Sequence, residues 1–370
     1  MSWRVALDSE MRWLLDLAGG KSPPMPDGLD VRRLLDLLIH HRLLLLVAGP
    51  LGPLLPTSDR ATLSDLQQRA LRTSLARTYG LLRLAEHFEK AAIPVLAIKG
   101  AAYGAQILSD PIRRGGQDVD LLIQPADEAR ALALLEGLGY RTVGPVEWKS
   151  RTLSGPEDWP PVDLHIHLAS QAEVLALRDL RPFERAVTVE IADKHLSTLP
   201  PEDAVIYAAY HGLRHAWARL HWAYDLLAAL DHPDLDWPAI FARAEGLGCE
   251  RHLAAGLVFV AEAFDRQLPP ALTQRPALLT LARPIAATHL AHLNDPPTER
   301  GMRASAPLRH LLIELRLHYR WRERWAILRM HLSPAEEDRA AFNLPKEVGW
   351  LYLPLKALRI LRRKYRLRQR

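Results

Sequence analysis

Cysteine is nearly absent: Cys249 stands alone among 370 residues. A single thiol excludes an intramolecular disulfide and a cysteine metal cluster, and it points to a reducing cytoplasm. Long apolar runs are also missing. The most apolar early stretch, Leu43 to Leu55, is interrupted by Gly49-Pro50 and Gly52-Pro53, well short of the roughly 20 apolar residues that span a bilayer. The opening "MSWRVALDSEMRW" has charge throughout and no apolar centre, so no signal peptide is expected. An excess of one charge is lacking too. The net charge is +5, from 48 basic and 43 acidic residues, too little by itself to argue for nucleic acid. Neither a fixed-period repeat nor a low-complexity tract is visible.

What remains is an ordinary globular composition, 48% hydrophobic and 25% charged. The first 85 residues carry apolar side chains at three- and four-residue spacing and predict helices, with Gly19-Gly20 and Gly49-Pro50 as stops and Ser64 as an N-cap. From residue 86 to 200 the period changes. "IPVLAIKG" predicts a short strand, "AAYGAQILSD" a short helix, "QDVDLLIQ" an internal strand, and "PADEARALALLEGLGY" a helix. "RTV", "WKSRTL" and "PVDLHIHLA" predict further strands. From 201 to 370 the helical period returns. The expectation is an α+β protein: a core at 86–200 with a small mixed sheet, a helical region at 1–85, and a helical domain at 201–370 that ends in a basic tail.

Within the core, Asp118 and Asp120 stand at i and i+2, on one side of a strand and about 7 Å apart. Adjacent carboxylates repel unless a cation lies between them. A hard ion such as Mg²⁺ or Mn²⁺ resolves that conflict, and Mg²⁺ commonly binds one or two carboxylates together with substrate phosphates. A third carboxylate, Asp163, lies on another predicted strand, with His165 and His167 following on the same face. Alone, a D-x-D pair also fits a solvated edge strand. Here the strand is apolar on both sides and follows Lys99-Gly100, a strand-to-helix turn suited to an anion. Glycine admits a close phosphate and Lys99 adds a charge. Arg113 and Arg114 are candidates to clamp phosphate oxygens, or else surface charges.

The ordered features resemble the nucleotidyltransferase superfamily of the DNA polymerase β type. More narrowly, "IPVLAIKGAAY", "DPIRRGGQDVDLLI", "ALLEGLGY", "VDLHIHL", "YHGLRHAWARLHWAYDLLAAL" and "DWPAIFARAEGLG" resemble an uncharacterised bacterial nucleotidyltransferase family, over roughly residues 85–270. The resemblance implies a polymerase β-like core with Asp118, Asp120 and Asp163 as catalytic and metal-binding residues. It implies transfer of an NMP from an NTP, ATP first, to a hydroxyl or similar group on a small molecule, peptide or protein, with release of pyrophosphate. Two Mg²⁺ ions would orient the triphosphate and activate the acceptor, or Asp163 itself would act as the base. Where the superfamily has Gly-Ser, this chain has Lys99-Gly100, so Lys99 is expected in the serine's place. The nucleotide side then comprises Lys99, Gly100, Arg113 and Arg114, with His165 and His211 as possible substrate contacts.

Two other readings stand beside it: a non-catalytic nucleotide-binding or scaffold protein that keeps the fold, and template-independent RNA nucleotide addition. His211 and His215 share a helix face but lack the ligand number of a zinc site. Asp225, among apolar residues, needs a buried partner, for which Arg219 or a histidine is expected. From Lys356 onward the chain carries eight basic and no acidic residues, fit to meet RNA phosphates, an acidic partner or an anionic membrane, or simply to end a helix.

Overall fold

Alternation in the strand Val119–Ile123 organises the molecule. Val119, Leu121 and Ile123 point one way and are buried, while Asp118 and Asp120 point the other. The architecture is seen in a computed structural model that describes residues 7–144, 149–169, 180–293 and 307–332, with the isolated positions 4, 177 and 355.

Among the described residues, seven strands form one mixed sheet: β1 (Val95–Ala97), β2 (Val119–Ile123), β3 (Arg141–Thr142), β4 (Ser150–Ser154), β5 (Val162–His165), β6 (Val187–Ile191) and β7 (Lys194–Thr198). Their order is β3-β4-β5-β2-β1-β7-β6. β2 lies antiparallel to β1 and parallel to β5. The β6–β7 hairpin went unrecognised in the sequence. Its turn residues Ala192 and Asp193 both have positive φ, 49° and 59°, a conformation usually marked by Asn-Gly or Asp-Gly. "AD" gives no such mark.

Helices α1 (Ser9–Ala18), α2 (Val31–His41), α3 (Leu44–Leu51) and α4 (Thr57–Lys90) precede the sheet. Asp8 and Asp30 cap α1 and α2, accepting from the amides of Met11 and Arg33. The long apolar tract after Asp30 is broken where Arg42 turns left-handed, φ 57° and ψ 42°. Gly49-Pro50, expected as a stop, lies inside α3. Pro50 has no N–H for the carbonyl of Leu46 four residues back, and the Arg113 guanidinium donates to that carbonyl instead, at 3.0 Å. The third helix starts at Thr57 rather than after Ser64, because Pro56 already holds the extended φ and ψ of an N-cap. Leu81, Leu84 and Phe88 of α4 cover the apolar side of β2 and β5, joined by Ala131 and Leu135 of α6 (Glu128–Gly137). Position 85/86 falls within α4.

The short α5 (Ala101–Ile107) follows β1. After β7 come α7 (Pro201–Arg214), α8 (Leu220–Asp231), α9 (Trp237–Gly246), α10 (Glu250–Phe264), α11 (Pro270–Thr273) and α12 (Pro276–Leu290). Met1–Pro296 forms one compact unit and Pro297–Arg370 a second. In the second, α13 (Pro307–Leu317) and α14 (Trp321–Leu332) are described; the basic stretch from Lys356 lies outside the described residues. Among them, no helix is long and apolar enough to cross a membrane.

Candidate active site

The register of β2 on β5 sets Asp120 directly beside Asp163, with Leu122 beside His165. Partners across a parallel pair point to the same side, so both carboxylates and the imidazole share the face opposite α4. His165 bridges the acids: Nε2 lies 3.0 Å from Asp120 Oδ1 and 3.2 Å from Asp163 Oδ2. Lys99 Nζ, at the end of β1, approaches the same Asp120 oxygen at 2.6 Å. Its ammonium also stands 6.0 Å from the ring centre of Tyr207 on α7.

The electrostatics follow from burial set against pairing. Burial opposes the Asp120 charge, but Lys99 and the His165 bond outweigh it and hold the carboxyl well below the usual range. Asp163 is lowered too: burial works against its charge and the His165 bond overcomes this. His165 is raised, since bonds to both acids overcome its desolvation. Burial likewise works against Lys99, yet Asp120 keeps it firmly protonated. The Tyr207 hydroxyl is pushed up to about 12, chiefly by burial.

Asp118 stands one residue ahead of β2 and is open to solvent on one side. Desolvation by the surrounding walls and then the charge of Asp120 raise its carboxyl, against the pull of Lys99 and Arg42. Asp120, Asp163 and His165 offer one ligand atom each within 4.8 Å of one another. Asp163 Oδ1 is buried and has no hydrogen-bond partner among the described residues. An orphaned acceptor beside a second carboxylate fits a hard divalent ion.

Beside this cluster is a small hollow lined by Arg77, Lys99, Gly100, Gly116, Asp118 and Asp120. Gly100 has φ 59° and ψ −130°, and nothing lies within 4 Å of where a Cβ would stand. The backbone angle, not crowding, requires glycine there.

The two expected arginines are engaged elsewhere. Arg114 is buried and places its guanidinium on Asp225, Nε to Oδ1 at 3.0 Å and Nη2 to Oδ2 at 2.8 Å. The partner of Asp225 is therefore Arg114, not Arg219 or a histidine. Arg113 serves the Leu46 carbonyl and borders a different hollow, with Tyr224 and Asp231. His211, on α7, is half-buried, 4.4 Å between ring centres from His215. Burial and then the charge of Lys99 drive it well below the usual histidine range. His167 lies past the end of β5 and lines a cavity with Leu122, Ile123 and Phe183. Sequence reasoning missed Arg77 and Tyr207, which come from helices and belong to no local motif.

Residues 27–265 match the family described as "uncharacterised nucleotidyltransferase". No curated protein matches the chain. Among solved structures, the solution structure of the antibiotic-resistance factor ANT(2'')-Ia is similar at 16% identity, covering 58% of this chain and 96% of its own, with a TM-score of 0.30.

Proposed function

With nearly two thirds of its length matched, the chain belongs to the family of uncharacterised nucleotidyltransferases, and on that premise we propose that it moves an NMP from an NTP, ATP first, to a hydroxyl or similar group of a small molecule, peptide or protein, releasing pyrophosphate. The observation that carries this reading is the pairing of Asp120 with Asp163 on parallel neighbours, with the Lys99–Gly100 turn and its hollow alongside. In this reading residues 86–200 carry the chemistry, with the helical regions 1–85 and 201–370 as the remaining parts of the chain. The single, buried Cys249 suits work in a reducing cytoplasm.

Asp118, Asp120 and Asp163 would hold Mg²⁺ or Mn²⁺, with His165 beside them. When bound, the ion supplies charge for the triphosphate and lowers the pKa of an acceptor hydroxyl. Lys99 stays protonated and is suited to receive phosphate charge near the turn. Gly100 lets the backbone come close to that charge. Asp163, ionised at neutral pH and with an unpartnered oxygen, is suited to accept the proton of the attacking hydroxyl. His165 keeps the two acids in a fixed relation through its shared Nε2. His211, close enough to feel Lys99 and His165, is suited to contact substrate as a neutral imidazole.

Calorimetric titration with ATP, GTP, CTP and UTP in the presence of Mg²⁺ tests the reading. Binding of at least one at micromolar to sub-millimolar levels is expected. Silence from all four up to millimolar concentration contradicts it.

A further inference from the structure

We propose that Arg42, at the end of α2, and Arg77, on α4, form the clamp that grips the polyphosphate tail of the nucleotide, from helices outside the strand–turn–strand unit that carries the acids. The inference rests on the nucleotide reading above and names where that ligand's phosphates are held.

The argument starts from what is already paired. Asp120 has Lys99 and His165. Arg114 has Asp225, and Arg113 has the Leu46 carbonyl. Asp118 is left facing the positive charges of Arg42, Arg77 and Lys99. Arg77 lines the hollow with Lys99, Gly100, Asp118 and Asp120 and donates one nitrogen to the Gly116 carbonyl. That bond fixes the guanidinium at the rim and leaves most of its five donors for another acceptor.

Arg42 approaches the same acid. Its Nη2 donates to Gln117 Oε1 at 2.6 Å, one residue before Asp118. Its Nε is buried and has no partner among the described residues. The backbone beneath it is left-handed, φ 57° and ψ 42°, a conformation that strains a non-glycine residue. Burial and then the charges of Arg219, Arg114 and Arg77 act against its proton, with Asp118 in its favour, and push its pKa to about 10. A strained, part-buried cation among like charges is costly for the protein alone. An anion held beside Asp118 would offset the like-charge part of that cost.

A metal-bound polyphosphate suits this surface better than a carboxylate ligand does. Its oxygens would accept from the guanidinium donors that remain, and Asp118 and Asp120 would hold its metal. A plain anionic peptide would meet the same two acids with repulsion. The pair also supplies what the turn lacks, since Lys99-Gly100 offers no hydroxyl.

The test uses the full chain with whichever of the four ribonucleoside triphosphates binds best, together with its di- and monophosphate, in Mg²⁺, by calorimetry. Arg42→Gln and Arg77→Gln are each expected to weaken the triphosphate about tenfold or more and the monophosphate less than twofold. Arg42→Lys and Arg77→Lys, which keep the charge and lose the fork, should fall between. Melting curves identify any variant that fails to fold, and the lysine variant then carries the test at that position. Triphosphate affinity within twofold of wild type in both positions overturns the clamp and leaves the nucleotide reading standing. Equal losses for mono-, di- and triphosphate also overturn it. No triphosphate binding by the wild type removes the reading itself, and the clamp with it.

Discussion

Arg114 and Asp225, 111 residues apart, lock fork to carboxylate at 3.0 and 2.8 Å, with both side chains almost fully buried. The pair ties the segment leading into β2 to α8. Tyr103 of α5 strengthens the joint by donating its hydroxyl to the Asp225 carbonyl at 2.8 Å. Removing one partner of such a pair strands a buried charge, at a cost of about 3–5 kcal/mol. Asp225→Ala should therefore lower the unfolding free energy by that order in a urea titration, and the double change Arg114→Met with Asp225→Leu should recover much of it. An Asp225→Ala loss below 1 kcal/mol would mean the pair is not a structural joint.

Helix α4 approaches the entry to β5 through a glycine. A Cβ on Gly80 would overlap the Cδ and Cγ of Pro160, a rigid ring just ahead of the strand that carries Asp163. Gly80→Ala gains helix propensity of about 1 kcal/mol but forces the helix away from the sheet, and overpacking of this kind costs about 1–3 kcal/mol. The net change is expected to be destabilising and to be read as a lower midpoint in denaturant. A stabilised variant would show that α4 shifts at no cost.

The acids were legible in the sequence because their signal is local. A two-residue period places Asp118, Asp120 and the apolar alternates on opposite faces, and Asp163 followed by His165 repeats that period. Glycine after Lys99 marked the turn in the same way. Long-range partners leave no such mark. Nothing near Arg114 points to Asp225, and nothing near Arg113 points to the carbonyl that Pro50 leaves without a donor. Arg42, just past the end of α2, and Arg77, within α4, lie in stretches that carry no motif. Only the packing of α2 and α4 brings them to Asp118.

Stability should fall in mild acid through His41. This buried histidine accepts the Leu220 amide on Nδ1 at 3.2 Å. Burial, then the charges of His40, Arg219 and Arg33, depress it to about 3. The unfolded chain takes up its proton near 6.5, whereas the folded protein does not until about 3. The contribution is therefore whole above 6.5 and is lost as pH falls from 6.5 towards 3, by about 1.4 kcal/mol per pH unit. His41→Asn keeps an acceptor near Nδ1 and removes this titration. Denaturation at pH 7 and pH 5 should narrow the wild-type advantage over the variant by about 2 kcal/mol. An unchanged difference would place a charged imidazole in the folded protein.

Divalent metal should stabilise the folded chain through Asp120 and Asp163. A ligand at 100 times its Kd adds about 2.7 kcal/mol, which thermal melting in Mn²⁺ or Mg²⁺ against EDTA can read. The rise in Tm should vanish in Asp163→Asn. In metal-free buffer that variant should melt below wild type, because it loses the carboxylate charge that pairs with His165. A metal-induced shift that persists in Asp163→Asn would move the ion elsewhere.

Transfer of label from an α-phosphate-labelled NTP is the most direct measurement of the central claim. The wild-type protein, Mg²⁺ or Mn²⁺ and a fractionated cell extract are incubated with each nucleotide, and label is followed into acceptor and pyrophosphate into solution. The account predicts label in an acceptor, one pyrophosphate per transfer, and a loss of several powers of ten in Asp120→Asn with the fold intact. Asp120→Asn turning over at close to the wild-type rate would contradict it.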